Sequence, residues 1–452
     1  MGKRTIDMTT GKPAKHILRF AVPLILTNMG QQLYMIADGA IVGRGVGVKA
    51  LAAVGATDWC YWLILWSVMG LTQGFSTYVS RAFGEKNHRE LNKAVATATT
   101  LCILSGIILT VVGLLAARPM LLLLQTPEDV LFDATVYLCV LLAGTGIVMA
   151  YNMAASILRA LGDGKTPLVA MVIAALLNIG LDCLFVFVFG WGIVGAAVAS
   201  LLAQAVSFVY CLWTIGRIEF VRPEKQDGKL EGRRVKGMLL LGMPVAMQYI
   251  VICLGGMILQ SGVNLQGSEF TAGYAATNKL FGLLECFAMS LGLAASTFIA
   301  QNYGAGKLDR VKKGAVTMVW IVTGTALAVS AIALLGRWQL LGIFIDAKTP
   351  EDYKAMETGV RYLTIMAPCF ILVYLLDAFR SALQAIGIGF WSMLSGFAEL
   401  LGRLMMAKVF INIIGSDALF LSEPTAWFLA LLCVMPPYFY YHKTRLSEKT
   451  NK

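Results

Sequence analysis

Charge is what this sequence has least of. Asp, Glu, Lys and Arg make up 14% of its 452 residues, where soluble domains carry about 25%. That scarcity excludes an ordinary water-soluble domain. Histidine is nearly missing: His16, His88 and His442 are the three, each in a polar flank rather than an apolar run. This excludes a relay of buried imidazoles. The nine cysteines, Cys60, Cys102, Cys139, Cys183, Cys211, Cys253, Cys286, Cys369 and Cys433, stand singly inside apolar segments. Without paired spacing they imply neither a disulfide framework nor a metal knuckle, and buried reduced thiols are expected. No phosphate-binding loop, metal-ligand helix or nucleophile motif is present, so neither ATP hydrolysis by this chain nor an enzyme is indicated, and no cofactor is expected. The basic start "MGKRTIDMTTGKPAKHILRF" has no small-residue cleavage site after a short apolar core. The first apolar run therefore reads as a retained helix.

What fills the chain is hydrophobic residues, 58% of the total. They fall into runs of about 20 residues, the length of a membrane-spanning helix. The period-two alternation of a membrane β-barrel is absent. The expected fold is an all-α polytopic membrane protein with twelve transmembrane helices. The spans run from residues 14–40 for the first to 424–441 for the twelfth, with 131–160 as the fourth and 358–385 as the tenth. The net charge of +11 sits in the short loops. About 26 Lys and Arg fall on the side of the two termini and about 6 on the other. This asymmetry places both termini in the cytoplasm of a cell membrane. The charge is thus a topology and anionic-lipid signal, with the bilayer rather than nucleic acid as partner.

The basic linker at 217–236 separates an N-lobe, residues 1–216, from a C-lobe, residues 237–452, and the lobes resemble each other. "AVPLILTNMG" from Ala21 parallels "GMPVAMQYIV" from Gly242, which sets Pro23 against Pro244. "STYVSRAFGEKN" from Ser76 parallels "STFIAQNYGAGK" from Ser296. "YLCVLLAGTGIVMAYNMAASILRALGDG" from Tyr137 parallels "YLTIMAPCFILVYLLDAFRSALQAIGIG" from Tyr362. An even number of spans per half makes these parallel repeats, related by a pseudo-two-fold. Repeats of this kind mark transporters whose substrate path lies between the halves.

Polar residues in the apolar runs are the site candidates. Thr27, Gln31, Tyr34 and Asp38 recur at steps of four, three and four, one face of the first helix. An unpaired acid at a helix centre costs about 2.5–3.5 kcal/mol on insertion scales, so Asp38 needs a polar cavity or a partner. The alternative is that it lies near the helix end and reaches water. Asn178 and Asp182 share a face one turn apart. Further polar faces are Asn152, Ser156 and Arg159 on the fourth helix and Ser200, Gln204 and Ser207 on the sixth. Two carboxylates in one low-dielectric pocket cannot both ionise cheaply; such a pair holds a proton or a cation. The alternative is a polar cluster that glues helices. Pro23 is a bending point of the first helix.

On Pro23 and Asp38, "DGAIVGRGVGVKALAAVG", "ILRALGDGKTPLVAMVIAALLNIGLDCLFV" and "FGWGIVGAAVAS", in this order on twelve spans, the chain resembles the multidrug and toxin extrusion family of secondary transporters, bacterial type. The resemblance implies two six-helix lobes and the export of organic, often cationic, compounds in exchange for H⁺ or Na⁺. It implies a cation-coupling site at Asp38, Asn178, Asp182 and Ser200, with Na⁺ as a possible occupant. A family asparagine on the fourth helix has no aligned counterpart, and Asn152 lies near its place. The seventh helix carries no acid, against the branch of the family that uses one there.

In the C-lobe, Glu285 is alone on the eighth helix. Asp377 with Arg380, and Glu399 with Arg403, have the spacing of intrahelical ion pairs. Gln31, Tyr34, Glu285, Asp377 and Met289 are candidate cavity residues for a cationic, amphipathic small molecule handled by a monomer. Lys279 is placed to snorkel near the outer end of the eighth helix. A flippase or exporter of a lipid-linked or narrow metabolite substrate is the rival reading; it calls for a cationic cavity, and the candidates are mainly acidic. The topology is testable. A green fluorescent protein fused to the C-terminus is expected to fluoresce and a phosphatase fused there to be inactive; the reverse pattern would invert the orientation.

Overall fold

The computed structural model describes residues 5–46, 48–124 and 126–444. Its elements are helical. The first half runs α1 (Pro13–Gly45), α2 (Val48–Gly84), α3 (His88–Leu123), α4 (Glu128–Ala143), α5 (Thr145–Ala160), α6 (Lys165–Asp182) and α7 (Gly192–Gly216). The second runs α8 (Gly232–Asn264), α9 (Ser268–Gly304), α10 (Leu308–Leu335), the short α11 (Arg337–Leu341), α12 (Pro350–Met366), α13 (Phe370–Ala385), α14 (Gly389–Leu404), the short α15 (Ile411–Ile414) and α16 (Asp417–Lys443). Twelve spans result once α4–α5 and α12–α13 are each taken as one broken span. Nine of them, counting α4–α5, are long and apolar enough to cross a bilayer. The other three are α1, α2 and α14.

The helices outrun the apolar windows, often by a turn or more. The first span reaches Gly45 rather than residue 40, and the last begins at Asp417 rather than 424. Hydropathy marks only the part that meets lipid, whereas the ends are set by caps. Asn87, for instance, accepts hydrogen bonds from the amides of Arg89 and Glu90 to start α3. The fourth expected span is two helices, bent by 44° at Gly144. The tenth is interrupted by a 3₁₀ turn, Ala367–Cys369, around Pro368.

These interruptions repeat. Under the Tyr137–Tyr362 pairing, Gly144 falls on Cys369, the end of the 3₁₀ turn. Gly162 and Gly387 fall together and both have positive φ, 80° and 89°. Under the Ser76–Ser296 pairing, Lys86 falls on Gly306, with φ of 58° and 71°. The fifth span ends in a π-helical turn, Cys183–Val188, and the eleventh carries one at Met405–Phe410. The repeat thus extends to irregularities of the backbone that composition does not encode.

By packing, the chain divides into two compact units. One holds Val22–Ala246 with short pieces up to Thr10 and at Gly304–Gly306; the other holds Gly11–Ala21, Met247–Tyr303 and the chain from Lys307 onward. In the first unit α2 lies at the centre, packed on α3, α4 and α5, while α7 packs on α5 and α6. Its core has one cluster around Val68, Phe75, Ala98, Leu158 and Cys211 and another around Cys60, Leu121, Leu138 and Ala197. In the second unit α13 packs on α10 and α16, and α14 on α16. None of the nine cysteines is in a disulfide. Contrary to the expectation of burial throughout, Cys183 is exposed; it is the first residue of the π turn, one past Asp182.

Small residues let backbones approach, as lipid-embedded helices require. A Cβ added at Gly74 would sit 2.2 Å from the Cα of Gly242, where α2 crosses α8. Gly74→Leu is therefore expected to lower the melting temperature of the purified protein, through an overpacking cost of about 1–3 kcal/mol. Gly55→Ala, whose Cβ meets nothing within 4 Å, is expected to melt with the parent. Equal melting of the two variants would refute the close crossing.

Candidate cation site

α1 enters the first unit through a weak point. Pro23 has no N–H, so the carbonyl one turn before it lacks its helical partner. Thr27 donates its hydroxyl to the Pro23 carbonyl at 2.7 Å, a back-bond that favours bending. Thr27 is thus spent within its own helix rather than lining a pocket. Gln31, Tyr34 and Asp38, further along, are half-buried.

The structure brings Asp38 and Asp182 together, and Asn178 and Ser200. Asp182, at the last turn of α6, is 0% exposed. Its carboxyl lies within interaction range of that of Asp38. Asn178, one turn earlier and 1% exposed, donates its amide to Ser200 Oγ on α7 at 3.2 Å. Four buried oxygens are left without a donor among the described residues: Asp38 Oδ1, both carboxylate oxygens of Asp182 and Asn178 Oδ1. Buried polar atoms are nearly always satisfied. A cluster of orphaned acceptors, two of its groups acidic, is the chemistry of a site for a proton or a hard, oxygen-loving cation. Asn152 donates its amide to the Val148 carbonyl on its own helix at 2.9 Å.

Phenols surround the pair. Tyr34 on α1 and Tyr137 on α4 lie within electrostatic range of both Asp38 and Asp182. Tyr61 on α2 reaches Tyr34 and Tyr137 and lies against Gln204 on α7. Two other polar faces are structural. Ser207 donates to the Ala170 carbonyl at 2.8 Å, holding α7 on α6, and Arg159 donates to Ser156 at 2.7 Å. Tyr61, Tyr137 and a third acid, Asp58 on α2, were missed in the sequence. The test that found Asp38, a lone acid with polar neighbours at helical spacing, also finds Asp58 and Tyr61, three residues apart.

The second unit treats its charges differently. Arg380 does not pair with Asp377, three residues before it. It turns to Glu399 on α14 and donates to Ser395 Oγ at 2.8 Å. Glu399 also receives Arg403 at 3.1 Å, as its spacing predicted. Arg403 in turn meets Glu423 on α16 at 2.8 Å. The result is a buried chain of two cations and two anions across α13, α14 and α16. Asp377 and Glu285 have no ion pair among the described residues. They lie within electrostatic range of each other, and Asp377 Oδ2 is buried without a partner. Both residues are half-buried, and Met289 is 36% exposed one turn beyond Glu285. By the Pro23–Pro244 pairing, Leu259 holds the register of Asp38, and it is a buried hydrophobe. The acid pair therefore belongs to one half of the repeat alone.

Comparison with known proteins agrees with this architecture. The family model described as MatE matches residues 23–184 and 244–409, one segment in each half. The probable multidrug resistance protein YoeA of Bacillus subtilis is 28% identical over 382 residues, 82% of this chain and 81% of its own. YpnP of the same organism, also described as a probable multidrug resistance protein, is 30% identical over 314 residues, 68% of this chain and 69% of its own. Among solved structures, a MOP superfamily transporter from Pyrococcus furiosus superposes with a TM-score of 0.90 at 22% identity, covering 100% of both chains.

The charge chain makes a sharp stability test. Glu399→Gln leaves Arg380 and Arg403 short of a counter-charge, and breaking a buried pair from one side costs about 3–5 kcal/mol. Thermal unfolding of the purified variant should shift down by several degrees, and Glu399→Asp should shift less. Parental melting of Glu399→Gln would show that the chain carries no net energy.

Proposed function

The chain belongs to the MatE family, a transporter rather than an enzyme, and on that premise we propose that it is an antiporter exporting organic cations in exchange for H⁺ or Na⁺. The observation that supports this most directly is the group of four donorless oxygens at Asp38, Asp182 and Asn178. The relatives' names, multidrug resistance and multidrug export proteins, support drug-like compounds as the cargo, and their cationic character is this reading's own. The bilayer is that of the cell membrane, with both termini cytoplasmic and the chain acting as a monomer.

The coupling cation is held by the Asp38 and Asp182 carboxylates, with the Asn178 amide oxygen and the Ser200 hydroxyl completing an oxygen-only shell. Binding neutralises charge that the low-dielectric interior tolerates poorly. Because Asp38 is borne on α1 beyond Pro23 and the Thr27 back-bond, its neutralisation changes how that helix packs, bending at its weak point. The cationic, amphipathic substrate is met by the unpaired acids Glu285 and Asp377 with Met289, a soft and adaptable surface. Exchange by alternating access requires cation and substrate to favour different conformations, since only differential affinity shifts a population.

Ethidium efflux from proteoliposomes, driven by a pH gradient or a Na⁺ gradient imposed separately, tests the reading. One of the gradients is expected to drive efflux. Asp38→Asn and Asp182→Asn are each expected to reduce driven efflux by roughly tenfold or more, the scale of losing about 1.4 kcal/mol or more of coupling. Efflux in both variants at the parental rate would remove the site from the mechanism. Indifference of the parent to both gradients would remove cation coupling itself.

A further inference from the structure

Asp58 lies ten residues inside α2, about 15 Å from the helix start at 1.5 Å per residue. Asp38 is seven residues from the end of α1 and Asp182 six from the end of the π turn. The three acids lie in one compact unit, each within about three turns of a helix end. They differ in access: Asp58 is exposed, Asp38 half-buried and Asp182 0% exposed. Asp58 has no ion pair or side-chain hydrogen bond among the described residues. An exposed carboxylate on a membrane-spanning helix cannot face hydrocarbon cheaply, so Asp58 calls for water on its open side.

Tyr137 on α4 lies within electrostatic range of Asp38, Tyr61, Asp58 and Asp182, and it links the three acids electrostatically. Tyr61 shares the Asp58 face of α2. No three acid, cysteine or histidine groups among the described residues stand close enough to hold one metal ion together. Asp58 is thus outside the ligand shell of the Asp38–Asp182 pair. At the far end of the series wait the unpartnered oxygens of Asp182 and Asn178, both side chains more than nine-tenths buried.

We propose that Asp58 is the access carboxylate of the cation site, drawing the coupling cation from water and passing it past Tyr137 and Tyr61 to Asp38 and then Asp182. This rests on the cation-coupled reading above and adds an entry step to it. No bond changes other than transfer of the proton, or movement of the Na⁺, between oxygens. An exposed acid at the mouth of a low-dielectric path raises the local cation concentration. Its loss therefore weakens capture more than it slows turnover.

The test measures driven ethidium efflux against external cation concentration, in a pH arm and a Na⁺ arm, for the parent, Asp58→Asn, Asp58→Glu and Asp38→Asn. In whichever arm drives the parent, Asp58→Asn should need roughly tenfold more cation for half-maximal rate, about one pH unit in the proton arm. Most of the maximal rate should return at saturating cation, with the ethidium KM unchanged. Asp58→Glu should restore the parental half-maximum, which a merely structural acid would not predict. An unmoved half-maximum in Asp58→Asn, with Asp38→Asn inactive, overturns the access role while leaving the coupling site standing. A shift confined to the ethidium KM reassigns Asp58 to the substrate and overturns the proposal as well. Parental behaviour of Asp38→Asn removes the coupling site and the path to it together.

Discussion

A carboxylate inside a bilayer has to be met by a proton, a cation or a donor, and the structure answers that demand in two opposite ways. In the second unit it is met permanently. Arg380, Glu399, Arg403 and Glu423 close on one another across three helices, and nothing need come or go. In the first unit it is left open. Asp38, Asp182 and Asn178 are gathered by α1, α6 and their contact with α7, yet four of their oxygens receive nothing from the described protein. A framework that holds unmet acceptors together would make an exchangeable cation part of its own stability, which is the physical condition the proposed coupling needs.

The internal repeat shows how much of this is scaffold. Positive-φ positions and span breaks recur in register in the two halves, and π turns recur on the corresponding spans. The polar side chains do not. Leu259 stands where Asp38 would be, and Asn152 is opposed by Asp377. The same backbone therefore carries an acid pair without donors in one half and a self-neutralised chain with two acids outside any ion pair among the described residues in the other. Two copies of one fold can then perform different electrostatic tasks without any change of topology.

Most of the architecture was legible because each level of it leaves a compositional trace. Spans show as apolar runs, their order as loop charge, and the repeat as paired prolines and glycines. The residues proposed for coupling were legible through Asp38, whose polar neighbours recur at helical spacing, and through the resemblance that carried Asn178, Asp182 and Ser200. Whatever depends on contacts between helices was hidden. The spacing of Asp377 and Arg380 suits a pair, but a guanidinium on a long stem can as well reach a neighbouring helix, and it does. Glu423 fell outside the expected twelfth span because hydropathy starts counting at Pro424, although α16 begins at Asp417. Gly144 looked like one more small residue in an apolar run, and only the structure shows the helix turning there.

The π turn after Asp182 has a counterpart in the other half. A π turn fits one extra residue into a helical repeat and is frequent at functional sites. Here one ends the fifth span and another lies on the eleventh. The residue preceding it is Asp182 in one half and Leu404 in the other. The widened turn is common ground, and the acid placed against it is what distinguishes one half from its twin.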